Sequence, residues 1–289
     1  MEEKVVAELR KVVAREGMSP KAVRRFRRII YNHYGQQERE MPWRHIDDPY
    51  GILVSEVMLQ QTPVERVLLK YEPFVSAFPG FASLDSAPLE EVLSLWQGLG
   101  YNRRAVALKK IARRVVEEFN GELPPDPDTL ATMPGIGKAT ASAIAAFAFL
   151  KPTVFLETNI RSVFIHLFFD NAPTTTVKDA ELLPLVAISL DRSNPRDWYY
   201  ALMDYGVVVK REFTNPARRS AHYKKQSPFH GSNRQQRGKI LKTLLATPDS
   251  TLPAIADALG KTPERVRENL LQLEREGLIA RRGRRFRIA

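Results

Sequence analysis

The segment Pro134-Gly135-Ile136-Gly137 constrains the fold most, because it is a tight turn that opens directly onto an apolar run. Residues 139–150 are almost all apolar, so a helix there must be buried. Glycines let the backbone turn sharply, and the first turn of a helix leaves its N–H groups without helical partners. The segment therefore predicts a rigid turn whose N–H groups can bind a phosphate. The alternative is an ordinary turn between two core helices.

Apolar residues recur at helical spacing through most of the chain, and proline and glycine separate the runs. The predicted helices are 23–34, 50–59, 64–78, 89–96, 104–119, 139–150 and 198–210. Strand-like alternation is nearly absent before residue 275. The sequence therefore predicts an all-α core.

The chain changes character at residues 210–238. Between 210 and 225, six basic residues stand against one glutamate, a net charge of +5, and 227–233 is typical of a linker. Helices are predicted at 234–246, 252–259 and 262–276, followed by a β-hairpin over 277–287 that turns at Gly283. This is a winged-helix pattern, and the five arginines of the hairpin suit phosphate contacts. A solvated basic tail and a protein-contact module are the alternatives.

Two domains are thus expected, a core over 1–226 with a helical hairpin at about 128–150, and a winged-helix-like domain over 227–289. The formal charge of +11 and the pI of about 9.8 favour a polyanion, with nucleic acid first. The chain has no cysteine, which excludes disulfides, thiol nucleophiles and thiolate metal sites. We find no secretory signal and no apolar run of about 20 residues, and expect a cytoplasmic protein without membrane contact, near the nucleoid in a prokaryote.

Several segments, in order, resemble the helix-hairpin-helix DNA glycosylases, and most closely the MutY family of adenine glycosylases. They cover roughly residues 20–226, so the resemblance is more than a lone motif. The matching segments are Pro42-Trp43-Arg44, Asp48-Pro49-Tyr50, residues 55–62, residues 95–101, residues 133–140 and Met203-Asp204-Tyr205-Gly206. The resemblance implies a two-lobed helix-hairpin-helix core and a base excision repair enzyme that hydrolyses the N-glycosidic bond of a flipped base.

Two carboxylates suit that chemistry, which needs an acid at the leaving base and negative charge beside the sugar. Glu56 lies in an otherwise apolar helix, where burial favours the protonated form of a carboxyl group. Glu157 begins a helix, where it can act as a cap and meet the helix dipole. The resemblance assigns base protonation to Glu56, support of the cationic sugar to Glu157, where the family has Asp, and orientation of the site to Asn159. A solvent-facing Glu56 and a Glu157 that only caps the helix are the alternatives.

The resemblance also assigns contacts with DNA. Gln61 and Tyr101 match residues that push into the duplex beside the flipped nucleotide, and Trp43 and Arg44 match the wall of the base pocket. Ala139 replaces the lysine with which endonuclease III forms a Schiff base, so we predict a monofunctional glycosylase without lyase activity. The remaining candidate DNA contacts are Gly135, Gly137, Lys138, Thr140, Arg218 and Arg219.

Two family features are expected to be missing. The family's iron–sulfur cluster uses four cysteines, whose spacing falls here on Lys210, Ala217, Ser220 and Gln226, so no cluster and no other cofactor is expected. The C-terminal segment is too short for the Nudix-like domain that reads 8-oxoguanine in many members. We expect a monomer acting on double-stranded DNA with a mispaired or damaged base, and first on adenine opposite 8-oxoguanine or guanine. Thymine or uracil opposite guanine, another damaged base, and DNA binding without catalysis stay open.

Overall fold

The computed structural model describes residues 2–169, 176–226 and 228–289. The helices in chain order are α1 (Glu2–Glu16), α2 (Pro20–Gln37), α3 (Pro49–Leu59), α4 (Val64–Ala77), α5 (Phe81–Ser86), α6 (Leu89–Trp96), α7 (Arg103–Glu118), α8 (Pro127–Ala131), α9 (Lys138–Phe149), α10 (Thr158–Phe168), α11 (Asp179–Ser189), α12 (Pro195–Glu212), α13 (Asn233–Ala246), α14 (Leu252–Leu259) and α15 (Pro263–Arg275). A 3₁₀ helix spans Pro216–Arg219, and the strands are β1 (Ser250–Thr251), β2 (Ile279–Arg282) and β3 (Arg285–Ile288).

The chain divides into two compact units. The first comprises Met1–Glu40, Pro125–Asp128 and Gly137–Lys225, and the second comprises Met41–Pro124, Thr129–Ile136 and Gln226–Ala289. The winged-helix segment thus groups with helices α3 to α7, and the linker residue Ser227 lies outside the described residues. None of the helices described here combines the length and the apolar character that a bilayer crossing requires.

An aromatic cluster joins α2, α10 and α12 in the first unit. The Phe26 ring meets Phe164, Phe168 and Trp198 edge to face, with centroid distances of 5.3, 5.4 and 5.5 Å. Phe26, Phe164 and Trp198 are fully buried. Edge-to-face pairs favour particular ring orientations in addition to the free energy of burying the rings, so this cluster holds the second half of α10 in a defined place.

The glycine turn and buried helix predicted at residues 134–150 are present. Gly135 has φ +75°, a conformation that favours glycine, and a Cβ there would make a tight contact of 3.2 Å with the Ala107 Cβ. Gly137 is the N-cap of α9, and Ala141 and the run 143–147 in that helix are buried. The prediction of a buried apolar helix is confirmed.

The winged helix is confirmed as well. Helices α13, α14 and α15 bury Ile240, Leu244, Ile255 and Leu273, and the antiparallel sheet has the order β1-β3-β2. In the β2–β3 register Arg282 faces Arg285, which leaves the pair 283–284 as a two-residue turn. All five hairpin arginines are exposed.

The sequence did not predict α1, α5, α11 or β1, and it indicated α8 only as the first helix of the hairpin at about 128–150. Helices α5 and α8 have six and five residues, too few for a helical period to be recognised. Strand β1 has two residues, and only its pairing with β3 makes it a strand.

Candidate functional site

Glu157 is the N-cap of α10, and both of its carboxylate oxygens accept hydrogen bonds. Oε1 accepts from the Ile160 backbone N–H at 2.8 Å, and Oε2 accepts from Asn159 Nδ2 at 3.2 Å. A carboxylate at this position satisfies an N–H group that the helix leaves open and lies at the positive end of its dipole. The structure therefore brings two predicted site residues, Glu157 and Asn159, into direct contact.

The surroundings of this carboxylate act on its charge in opposite directions. Burial raises the pKa of Glu157, and the hydrogen bonds from Asn159 and Ile160 and the positive charges of Lys210 and Arg161 oppose the rise. Arg161 is itself held by Asp179 through bonds of 2.8 and 2.6 Å, and this pair keeps the pKa of Asp179 below its usual range. Burial is the largest of these effects, so the pKa of Glu157 lies above its usual range, and the hydrogen bonds and cations limit that rise.

Helix α12 comes very close to the start of α10 at Gly206. A Cβ at Gly206 would lie 2.5 Å from the carbonyl oxygen of Asn159 and 2.7 Å from its Cβ. Lys210 lies one turn further along the same face of α12, since residues four apart share a helix face. Burial lowers the pKa of the Lys210 ammonium, and the Glu157 carboxylate opposes that shift. The sequence had identified Lys210 only as a basic residue at a position where the family spacing places a cluster cysteine.

Glu56, Trp43 and Arg44 lie in the second unit. Glu56 is half-buried in α3, a helix in which eight other residues are buried. Trp43 and Arg44 are only 3% and 6% exposed, and the Trp43 ring packs edge to face on Tyr71 at 5.2 Å. The predicted roles of all three residues stay predictions.

Gln61 and Tyr101 end two turns of the second unit and share an unusual backbone. Their φ angles are +54° and +46°, in the left-handed region that side chains other than glycine rarely adopt. Gln61 is exposed and Tyr101 is half-buried. Both turns converge on the buried side chain of Arg104, which sequence reasoning had missed.

The Arg104 guanidinium donates to six oxygens, of the last turn of α3 and of the two turns. Nη1 donates to the carbonyls of Val57, Met58 and Gln60 at 2.9, 2.8 and 2.6 Å, and Nη2 donates to Thr62 Oγ1, Leu99 O and Gly100 O at 2.9, 3.2 and 3.0 Å. Burial lowers the pKa of Arg104 to about 10, so it stays charged at neutral pH. A signal existed, because Arg104 stands in helical register with three buried residues of α7: Leu108, Ile111 and Val115.

The other predicted DNA contacts are mostly at the surface. Gly135, Gly137, Lys138 and Arg218 are exposed, and Thr140 is half-buried. The Gly135 carbonyl accepts a hydrogen bond from Gln60 Nε2 at 3.1 Å, which ties the glycine turn to the turn that carries Gln61. Arg219 is half-buried and donates to the Phe169 carbonyl at 2.8 Å, and its contact with DNA stays a prediction.

Residues 54–186 match the family model of the HhH-GPD superfamily base excision DNA repair proteins, and 234–280 match that of winged helix-turn-helix DNA-binding domains. The chain is 32% identical over 270 residues to an adenine DNA glycosylase of Mycobacterium tuberculosis, covering 86% of this chain and 88% of that protein. It is 37% identical over 235 residues to the adenine DNA glycosylase of Mus musculus, covering 78% of this chain and 45% of that one.

The chain belongs to the adenine DNA glycosylase family. It spans less than half the length of the mammalian members it matches. A thermostable thymine-DNA glycosylase structure aligns with a TM-score of 0.58 and 26% identity over 66% of this chain and 88% of that one. A trapped endonuclease III–DNA covalent intermediate aligns with a TM-score of 0.53 and 19% identity over 72% of this chain and 90% of that one, and shows the shared fold.

The chain departs from the family pattern where the cluster cysteines are expected. Lys210, Ala217, Ser220 and Gln226 have no thiolate, so these positions do not fit an iron–sulfur cluster. The protein holds residues 215–221 by other means, within the part that the structure describes. Asn215 caps the 3₁₀ helix, the Val177 N–H donates to the Arg219 carbonyl at 2.8 Å, and the Ala221 N–H donates to the Val177 carbonyl at 2.9 Å.

Proposed function

We propose that this protein is a DNA glycosylase that removes adenine mispaired with 8-oxoguanine or guanine. The observation that supports this most is the match to an adenine DNA glycosylase over 86% of this chain and 88% of that protein. The paired Glu157 and Asn159, at positions where the family resemblance expects an acidic residue and Asn, add chemical support. The substrate is duplex DNA, acted on by a monomer in the cytoplasm, or at the nucleoid of a prokaryote.

The reaction divides between two carboxylates. Glu56 gives a proton to the leaving base, which makes the base a better leaving group. Glu157 supports the positive charge that develops on the sugar as the bond breaks, and Asn159 fixes the orientation of that carboxylate. Water then adds to the same sugar carbon and loses a proton, which leaves the abasic sugar. Ala139, exposed at the start of α9, offers no amine for a Schiff base, so the products are intact abasic strands.

A panel of single-lesion duplexes tests the proposal, with abasic sites scored after alkali. Glu56→Gln should abolish base release and leave duplex binding nearly intact, because the amide keeps the shape but has no acidic proton. Glu65→Gln, on the exposed surface of α4, is the matched control. Full activity in Glu56→Gln would defeat the mechanism. DNA binding by the native chain without base release on any duplex would support the non-catalytic alternative.

The same assay tests Glu157. Glu157→Gln should be severely impaired, since the amide keeps a capping oxygen but not the charge. Glu157→Asp keeps the charge and shortens the side chain, so we expect reduced activity, by about 1–3 kcal/mol in the barrier. A covalent complex trapped with borohydride would contradict the monofunctional assignment.

A second candidate is removal of thymine or uracil opposite guanine. It is favoured by the 26% identity to the thymine-DNA glycosylase structure and by a glutamate at position 157, where the longer side chain suits a different placement of substrate. Faster release of thymine or uracil than of adenine in the same panel would select it.

We further propose that the enzyme works without an iron–sulfur cluster or other cofactor. The absence of cysteine from the chain supports this. Elemental analysis of active protein should find no stoichiometric iron, and the solution should lack a visible chromophore. Iron in proportion to protein would contradict the proposal.

A further inference from the structure

Gln226, just before the winged helix, and Arg234, within it, contact the ends of the Gln61 and Tyr101 side chains. Gln226 Nε2 donates to Tyr101 Oη at 2.8 Å and lies 3.4 Å from Gln61 Oε1, so one amide links both residues. Arg234, in the first turn of α13, donates to the same Tyr101 oxygen at 2.6 Å. Its guanidinium carbon also lies 5.5 Å from the centroid of the Tyr101 ring, within cation–π range.

Arg104 holds the same two turns from their backbone side. Arg104 binds the backbone of the two turns from within the fold, and its guanidinium carbon lies 5.5 Å from the Tyr101 ring centroid. Left-handed backbone at two residues other than glycine persists only where the surroundings hold it. Arg104 secures the bases of the turns, and Gln226 and Arg234 secure their tips.

The space beside Tyr101 suits nucleic acid. A cavity of about 620 Å³ lies between the 97–102 turn and α13, and four cations line it: Arg66, Arg234, Lys239 and Lys242. No aspartate or glutamate is among the described residues of this lining. A polyanion approaching the turns would therefore meet an attractive field on the side where Arg234 holds Tyr101.

We propose that Gln226 and Arg234 are positioning residues, which hold Gln61 and Tyr101 ready to enter the duplex. The inference rests on the proposed function, in which those two residues push in beside the flipped nucleotide. It gives the winged-helix segment a part in base release, in addition to any contribution to DNA affinity. Gln226, which the family spacing places at a cysteine position, then has a structural task of its own.

Single-turnover base release at saturating protein, together with duplex affinity, tests this. Gln226→Leu keeps the size of the side chain but removes the donor, so base release should fall about fivefold, the effect of one hydrogen bond, with affinity unchanged within about twofold. Gln37→Leu makes the same chemical change on the exposed surface of α2 and is its control. Wild-type or faster base release in Gln226→Leu would overturn the proposal.

Variants of Arg234 separate the effect of its positive charge from that of its hydrogen bond to Tyr101. Arg234→Met should lower both affinity and base release, whereas Arg234→Lys should restore affinity but not the rate, because an ammonium lacks the planar fork. Lys242→Met removes a charge from the same cavity without a contact to Tyr101, so it shows how much of the loss in Arg234→Met comes from charge alone. Equal rate losses in Arg234→Met and Lys242→Met would overturn the proposal.

A readout without catalysis separates this proposal from the proposed function. Amide hydrogen exchange over residues 97–102 of the free protein should be faster in Gln226→Leu and Arg234→Met than in the native chain. If exchange is faster but no duplex loses a base, the proposed function fails and the positioning contact stands. If exchange is unchanged in both variants, the positioning proposal fails whatever the enzyme's substrate.

Discussion

At the scale of single residues, the Glu157 carboxylate and the Lys210 ammonium influence the pKa of each other. Both side chains lose water, which raises the pKa of the acid and lowers that of the base, and each partly offsets the shift of the other. The chain departs from the family pattern at both positions, with Glu for the usual Asp and Lys at a cluster cysteine position. The ammonium helps to keep the carboxylate ionised, which is the form that supports a cationic sugar.

Lys210→Met should therefore move the acid limb of the pH–rate profile to higher pH. A carboxylate that must be ionised loses activity as pH falls through its pKa, and the pKa of Glu157 rises further when the neighbouring cation is removed. The single-turnover rate should drop most at low pH and recover as pH rises. Lys210→Arg should keep the limb in place, and Lys11→Met, on the exposed face of α1, is the matched surface control. A profile unchanged in Lys210→Met would show that Glu157 is not the group that titrates.

At the scale of secondary structure, close packing of α12 on α10 positions the catalytic candidates. Gly206 provides the space, Asn159 fills it with its backbone, and Glu157 caps the same turn of α10. The side chain of Asp204 on α12 is almost completely buried and accepts a hydrogen bond from the Arg39 N–H at 3.1 Å. The α10 N-terminus thus packs against α12, which is itself anchored within the first unit, and this lets the Glu157 carboxylate keep one orientation.

Gly206→Ala should destabilise the protein by about 1–3 kcal/mol, because the added methyl group overlaps the Asn159 backbone and forces α10 and α12 apart. Base release should fall as well, since Asn159 moves. Denaturant unfolding measures the first effect. Gly35→Ala in α2 is the control, where no atom lies within 4 Å of the added Cβ and helix propensity predicts a gain of about 0.5–1 kcal/mol. Equal stabilities of the two variants would contradict the packing described here.

At the scale of the whole molecule, the net charge of +11 includes five exposed hairpin arginines. Arg285 donates to the Asp249 carbonyl at 2.9 Å and Arg281 to the Gly283 carbonyl at 2.8 Å, so two of the five help to hold the hairpin. The winged helix also has an internal brace, since Arg237 of α13 pairs with Glu276 after α15 through a bond of 2.9 Å. This small domain is therefore built to present charge on a fixed surface.

Replacing Arg282, Arg284 and Arg287 with glutamine should weaken duplex binding and flatten its salt dependence. The slope of log K against log salt falls by about 0.9 for every phosphate that an arginine no longer neutralises. The measurement is affinity for an undamaged duplex between about 50 and 200 mM salt, where roughly six to ten phosphate contacts cost ~10³ or more. An unfolding midpoint equal to that of the native chain would show that the variant is folded. An unchanged slope would show that the hairpin does not contact DNA.

The sequence by itself determined the elements whose signal is local. The helices predicted from apolar periodicity, the glycine turn before α9 and the winged helix are present, because periodicity and turn chemistry act over a few residues. Glu157 was also predicted as a helix cap, which depends only on the residue and its place in the chain. The short helix α5 escaped prediction because it has less than two full turns.

Only the tertiary structure decided which distant residues meet. Arg104 binds the carbonyl of Val57 across 47 positions, Gly206 admits the backbone of Asn159, and Gln226 reaches Tyr101 across 125 positions. Such contacts depend on how helices pack, and no local pattern encodes a partner so far along the chain. The charge state of Glu157 is decided in the same way, because burial and a cation from another helix set its pKa. The residue types that chemistry needs are therefore readable from the sequence, whereas their geometry and electrostatics come from packing.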